Sequence, residues 1–427
     1  MFGPSETSVI VECSANTTCT VIHAIGTSVI LFFVLLTTFA YTTLLERKFL
    51  AAIQQRVGPN RAGPYGLLQP VADGIKLIFK EDITPTAADR VVFWLAPVIK
   101  VVPVLLVAAA IPLGPDITVP WFDGKWYHMS QGLVDVNVGV LWVLGITSVG
   151  VYGVVLAGWA SNNKYAMLGG LRASAQMISY ELSMGLALVI AVMLAGSMSV
   201  GDIIDAQNDI PILGWYVFQN PLGAVLLAVA LLAEVNRAPF DLPEAEQELT
   251  AGYHTEYSGM KFALFYMAEY IGMVIVSMVA TALYFGGYHF FLVDEVPILG
   301  PIVYAIKVVI LLLVMVWVRG TLPRIRYDRL MTFGWKVMLP LALLAVVWSA
   351  VGVVIQEELG DTTYAVYSII AVVAFVVGLF YYAHRAGQPD VDPGHRIEMV
   401  SMSGGLASAA LRRRDVTTAE SERDGMD

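Results

Sequence analysis

Along this chain, apolar runs of roughly 20 residues alternate with short polar stretches, the length a helix needs to cross a ~30 Å hydrocarbon core at ~1.5 Å per residue. The pattern predicts nine spans, centred near Phe33, Val102, Ile146, Leu186, Ala230, Val274, Leu311, Ala345 and Val373. The expected fold class is all-α, a polytopic transmembrane helix bundle. Composition points the same way: 57% of the 427 residues are hydrophobic and 14% charged, with a mean hydropathy of +0.69, against roughly one-quarter charged in a soluble domain. The first span lacks a basic leader and a small-residue cleavage site ahead of Glu46, so it reads as a retained helix and not a removable signal peptide.

An odd number of spans puts the two ends on opposite sides. With the N-terminus outside, the inner loops collect the basic residues from Arg47 and Lys48 to Arg329 and Lys336, and the outer loops hold Lys125 alone. The positive-inside rule then selects that orientation, with the C-terminus in the cytoplasm. It outweighs the formal net charge of -10, because acids count little in that rule. The resulting organisation is an external segment at 1–20, a membrane domain at 21–340 with cytoplasmic loops at 46–90, 158–176, 234–262 and 319–336, an additional C-terminal membrane-helix region at 341–383, and a polar cytoplasmic tail at 384–427 read as disordered.

Cys13 and Cys19 fall in the external segment, where disulfides persist. A small loop closed by a disulfide and two unpaired thiols on a flexible terminus both fit; their spacing matches no metal motif. The outer connection from Leu113 to Asp135 carries Trp121, Phe122, Trp126 and Tyr127, as expected of a chain grazing the membrane interface.

In the first inner loop, apolar positions 67, 68, 71, 75, 78 and 79 face away from polar positions 69, 73, 76 and 80. That period predicts an amphipathic helix over Tyr65–Lys80, lying on the membrane surface, on a soluble partner protein, or on both. The fifth span is short: 13 residues from Pro221 to Glu234 cover only ~20 Å of the ~30 Å core. The helix is therefore expected to continue to about Phe240, with Glu234, Asn236 and Arg237 in or just inside the boundary.

No dinucleotide-binding, P-loop, zinc-protease, nucleophile-elbow or paired-cysteine motif occurs. The chain alone is expected to hold no nucleotide, metal, flavin or iron-sulfur cluster, and nothing in it points to nucleic acid. Acid at membrane depth stands out instead, at Glu181, Glu234 and Glu269. A carboxylate there costs roughly 2.5–3.5 kcal/mol on insertion scales and usually faces a bundle interior or an aqueous path. A shared polar path and a buried ion pair, for instance with Arg172 or Arg237, both accommodate these three. A second cluster, Asp241, Glu244, Glu246 and Glu248, is either a solvated face or a set of crowded carboxylates that raise one another's pKa.

Three strings are long enough to be specific: ERKFLAAIQQRVGPNRAGPYGLLQPVADGIKLIFK at 46–80, LRASAQMISYEL from Leu171, and AEVNRAPFDLPEAEQELTAGYHTEYSGMKFALFYMAEY at 233–270. The first and last resemble the signature loops of the H-type subunit family of NADH-quinone oxidoreductase, respiratory complex I, and of its counterpart, mitochondrial NADH dehydrogenase subunit 1. The middle one resembles a third stretch of that family, and the similarity covers about residues 20–340. The resemblance implies a bacterial plasma-membrane protein that joins the membrane arm of the complex to the peripheral arm. It also implies a chamber for quinone, ubiquinone or menaquinone, which enters from the bilayer. On that reading Arg47, Arg56, Arg237 and Phe240 lie near the quinone passage, and Asp241, Glu244, Glu246 and Glu248 form the acidic loop beside it. Glu181, Glu234, Glu256 and Glu269 start a proton path, supported by Asp73, Arg172 and Tyr180. Electrons would come from a cluster in another subunit, which would also bind most of the quinone head. The ninth span and the tail depart from the commoner eight-span pattern. The rival readings are the related subunit of a membrane-bound hydrogenase or ferredoxin-linked pump, which need not use quinone, and a secondary transporter, for which the expected internal repeats are not seen.

Overall fold

The computed structural model describes residues 10–13, 16–120, 125–134, 136–208, 214–242, 251–290, 293 and 296–386. In chain order its helices are α1 (Thr17–Ile53), α2 (Gln69–Phe79), α3 (Arg90–Ala109), α4 (Gly139–Ala160), α5 (Lys164–Ala195), the short α6 (Val200–Asp205) and α7 (Tyr216–Gln219), α8 (Pro221–Glu234), α9 (Gly259–Tyr284), α10 (Pro297–Thr321), α11 (Tyr327–Leu359) and α12 (Asp361–Ala386). Each of the nine expected centres lies in a helix. Among the described residues, seven helices are long and apolar enough to cross a bilayer: α1, α3, α4, α5, α9, α10 and α11. The other two predicted spans carry shorter apolar stretches, 14 residues in α8 and Val366–Gly378 within α12.

Two compact units share the chain, Met1–Phe375 and Val376–Asp427. The second is described only to Ala386, as the helical end of α12; the rest of the predicted tail lies outside the described residues. In the first unit α9 is the most enclosed of the long helices and α1 the least. Small residues let backbones approach, the usual means of packing helices in lipid. A Cβ on Gly158 of α4 would stand 2.7 Å from the Ala166 carbonyl oxygen of α5. The first part of α12 is seated by tyrosines. Tyr367 stacks on Trp348 of α11 with ring centroids 4.4 Å apart, and the Tyr364 hydroxyl donates to Gln219 Oε1 at 2.9 Å.

Contacts sort the connecting segments onto two ends of the bundle. At one end, β1 (Ile10–Glu12), β2 (Ile117–Pro120) and β3 (Trp126–Met129) form a small sheet in the order β1-β3-β2. Cys13 and Cys19 are joined in a disulfide that packs with Tyr127 and Met129. Tyr127 is thus buried, not displayed at an interface, while Trp121 and Phe122 lie outside the described residues. The disulfide predicts that alkylation under native, non-reducing conditions labels neither cysteine; full labelling of both would show the bond is missing from the assembled protein.

The predicted inner loops meet at the other end. Lys261 Nζ lies 2.9 Å from Asp82, Ile83 N donates to Ser258 Oγ at 3.0 Å, and Arg319 pairs with Glu46. The amphipathic helix begins at Gln69 rather than Tyr65, because Pro64–Gly66 forms a 3-10 turn with Tyr65 at φ 52°. Along α2 no residue is buried, and Val71, Ile75, Ile78 and Phe79 expose their apolar face.

Candidate functional site

The site is built where α8 stops. Pro221 occupies its first turn, and the Asn220 side chain caps it by accepting from Gly223 N at 2.8 Å. The helix does not continue to Phe240: it ends at Glu234, and Asn236 takes a left-handed φ of 54°. Asn tolerates that conformation better than most residues, and Pro239 lacks the N–H that another turn would need. The chain beyond is tied down by Gln176 of α5. Its Nε2 donates to Ala233 O at 2.8 Å, Phe240 O at 2.8 Å and Asn236 Oδ1 at 3.1 Å. A buried amide in a membrane helix needs such partners, and here it ties the end of α8 to the segment that leads to Phe240.

This break carries Glu234 and Arg237 into the bundle. Glu234 lines a cavity of about 50 Å³ with Lys100 of α3, Thr147 of α4, Asn236 and Glu269 of α9. Its Oε2 is buried and has no hydrogen-bond partner among the described residues. Glu269 is better furnished: Tyr253 Oη donates to Oε1 at 3.1 Å, His254 Nε2 lies 3.4 Å from the same oxygen, and Arg237 Nη2 is 3.9 Å from Oε2. The Arg237 guanidinium also sits over the Tyr270 ring, 4.2 Å from its centroid. The buried ion pair weighed as an alternative for these acids therefore has a partner in Arg237, for Glu269. Tyr253 and His254 come from a 3-10 turn, Gly252–His254, packed on α5.

The remaining predicted residues distribute around this centre. Glu181 on α5 accepts a hydrogen bond from Ser148 of α4. Glu256 is held by Asn163 Nδ2 at 2.7 Å and does not line the cavity. Tyr180 is fully buried, donates to Leu330 O at 3.0 Å, and lies 5.5 Å, ring to ring, from Phe240. Arg172 stands over the Tyr327 ring at 5.8 Å, and Asp241 follows Phe240 in the described chain. Glu244, Glu246 and Glu248 lie outside the described residues. Arg47 forms a separate, partly exposed group: its Nη1 is 2.6 Å from Asp73 Oδ2, and Gln69 and Lys76 flank the same carboxylate. Arg56 is exposed and bonds to Gln54 Oε1 at 2.7 Å.

The structure thus gathers Glu234, Glu269 and Arg237 with three residues that sequence reasoning leaves out, Lys100, Tyr253 and His254. It leaves Arg47, Arg56 and Asp73 on a different surface. The chemistry of the cavity is acid-base: two carboxylates and an ammonium line a space large enough for water, and the Tyr253 phenol, the His254 imidazole and the Arg237 guanidinium reach it through Glu269.

Comparison with known proteins assigns the chain to a family. The family described as NADH dehydrogenase matches residues 26–350. An H-type subunit of NADH-quinone oxidoreductase from Syntrophobacter fumaroxidans, the second of that name in the organism, is 51% identical over 314 residues, covering 73% of this chain and 90% of the relative. The first of the H-type subunits from Geobacter sulfurreducens is 47% identical over 343 residues, covering 79% and 96%. The one from Thermomicrobium roseum is 50% identical over 317 residues, covering 73% and 90%. Matches of that length and identity, on a polytopic helical bundle, show that the chain belongs to the H-type subunit family of NADH-quinone oxidoreductase, a membrane component of respiratory complex I.

Proposed function

We propose that this chain forms the quinone-access chamber of the complex and the start of the path that couples quinone reduction to proton movement toward the antiporter-like subunits. It would sit in the bacterial plasma membrane with its basic loop end in the cytoplasm, against the peripheral-arm subunits that carry the clusters and most of the quinone-head site. The observation that carries this reading is the cavity shared by Glu234, Glu269 and Lys100, to which Val235 and Asn236 contribute from the start of the segment that goes on to Arg237, Phe240 and Asp241. Quinone reduction takes up two electrons and two protons. Negative charge appearing near Arg237 and Asp241 acts strongly on acids in a low-dielectric interior, so it would alter their proton occupancy. The Arg47–Asp73 pair, on α1 and the amphipathic α2, would border the route by which the apolar quinone leaves the bilayer.

Arg47→Ala and Arg237→Ala test the chamber. Arg47 is partly exposed, so its loss should leave complex content intact while quinone reductase activity falls several-fold; an artificial acceptor that takes electrons upstream should be reduced at the normal rate. Arg237 is buried beside Glu269, and removing one partner of a buried pair costs roughly 3–5 kcal/mol. Its variant should lose more activity and some assembled complex. If upstream and quinone-dependent activities fall in step with complex content for Arg47→Ala too, both arginines serve assembly and the chamber reading fails.

A further inference from the structure

Lys100 is a cation in the interior of a membrane bundle, on α3, 8% exposed. Two observations give it a purpose-built place. A Cβ on Gly153 of α4 would stand 2.9 Å from both Lys100 Cβ and Lys100 N, and one on Gly150 would meet Lys100 Nζ at 4.0 Å. Gly153 on the facing helix thus clears the space that the backbone and Cβ of Lys100 occupy, and Gly150 lies in van der Waals reach of the ammonium beyond it. The cavity wall that Lys100 then shares holds Glu234, with a buried oxygen lacking a partner among the described residues, and Glu269.

An ammonium at bilayer depth is as unfavourable as a carboxylate, and such cations persist where they answer an opposite charge. Lys100 from α3, Glu234 from α8 and Glu269 from α9 line this space; Arg237 and His254, from the two connecting turns, reach it through Glu269, and Glu181 from α5 acts electrostatically on Glu234. Lys100 and Arg237, set against Glu181, Glu234 and Glu269, balance two of the three carboxylates. A single proton then leaves the group neutral, whichever carboxylate holds it.

We propose that Lys100 is a positioning residue of this acid group. Its side chain, on the cavity wall it shares with Glu234 and Glu269, compensates whichever of the two is ionised, so that one proton passes between them through cavity water without leaving an uncompensated buried charge. In that step the proton leaves one carboxyl group for water while water gives a proton to the other carboxylate; no other bond changes. The inference rests on the proton-path reading above and adds a residue that the acid pattern alone does not reveal.

The test uses the assembled complex in sealed membrane vesicles. Lys100→Met keeps the length of the stem and removes the charge. The retained carboxylates then hold protons more tightly, so the pH profile of quinone reductase turnover should move to higher pH by about one to two units. Turnover at neutral pH should drop several-fold, with the artificial-acceptor rate unchanged, and Lys100→Arg should restore the original profile. A packing role would lower complex content without moving the profile. Should Lys100→Met fail to assemble, Lys100→Met combined with Glu234→Gln should recover assembly, because it removes the stranded charge as well. An unshifted profile in assembled Lys100→Met, or failure of the double variant to assemble, overturns the proposal. The underlying path reading fails separately, if Glu234→Gln and Glu269→Gln both leave turnover and pumping normal.

Discussion

Glu181→Gln, Glu234→Gln and Glu269→Gln should each yield an assembled complex that has lost most of its quinone reductase activity, roughly tenfold or more if proton transfer through that group limits turnover. The substitution keeps size and hydrogen-bonding reach while removing the exchangeable charge. At Glu181 a glutamine oxygen can still accept from Ser148, and at Glu269 from Tyr253 Oη, now at 3.1 Å; the amide there still faces Arg237, so less complex is lost than when Arg237 itself is truncated. What is lost is the ability to take up and release a proton as charge appears on the quinone. Burial away from water makes an ionised carboxylate costly, and such groups sit poised to exchange protons when a nearby charge changes. Electron transfer that is tightly coupled stalls when those protons cannot move, so turnover and pumping should fall together while the artificial acceptor is reduced normally. The competing account is structural: Arg237 and Glu269 as a buried ion pair. If all three glutamine variants retain near-normal turnover and proton pumping in sealed vesicles, that account is correct and the path assignment should be dropped.

Part of this arrangement is written locally in the sequence and part is not. Helix cores were legible because an apolar run in lipid has one stable solution, a helix that satisfies its own backbone; every expected centre, from Phe33 to Val373, lies in one. The end of α8 was not legible from length. A short apolar stretch argues for continuation, but the signal against it was present in Pro239, which disfavours helix at the residue before it. Tertiary contacts then fix the break, through three hydrogen bonds from Gln176, 57 to 64 residues away in sequence. Gln176 and Lys100 were both visible as polar side chains inside apolar runs. Such residues are functional-site candidates by the same cost argument that singles out the glutamates. His254 and Tyr253 carry no comparable mark, since they sit in a polar loop where such residues are ordinary. Their role depends on the turn folding back over α5 onto Glu269, which only the three-dimensional arrangement reveals.

Gly169→Val should disrupt that return more severely than any change to the side chains it delivers. Gly169 lies on α5 where the Gly252–His254 turn lands. A Cβ there would stand 2.5 Å from Gly252 Cα, 2.8 Å from Gly252 C and 3.0 Å from Tyr253 N. All three are backbone atoms, so no rotamer change relieves the clash; the turn itself must move outward. Because Tyr253 Oη reaches Glu269 at 3.1 Å and His254 Nε2 at 3.4 Å, even a small displacement breaks both contacts. Overpacking of this kind costs roughly 1–3 kcal/mol for added methyl groups, occasionally more, and valine adds branched bulk beyond the Cβ. Gly169→Val should therefore reduce assembled complex roughly fivefold or more on native gels, with Gly169→Ala intermediate. In whatever fraction assembles, the ratio of quinone reductase to artificial-acceptor activity should also fall, because Glu269 has lost its phenol and imidazole. Full assembly of Gly169→Val with an unchanged activity ratio would mean that the turn does not need to pack on α5, and that Tyr253 and His254 have no part in holding Glu269.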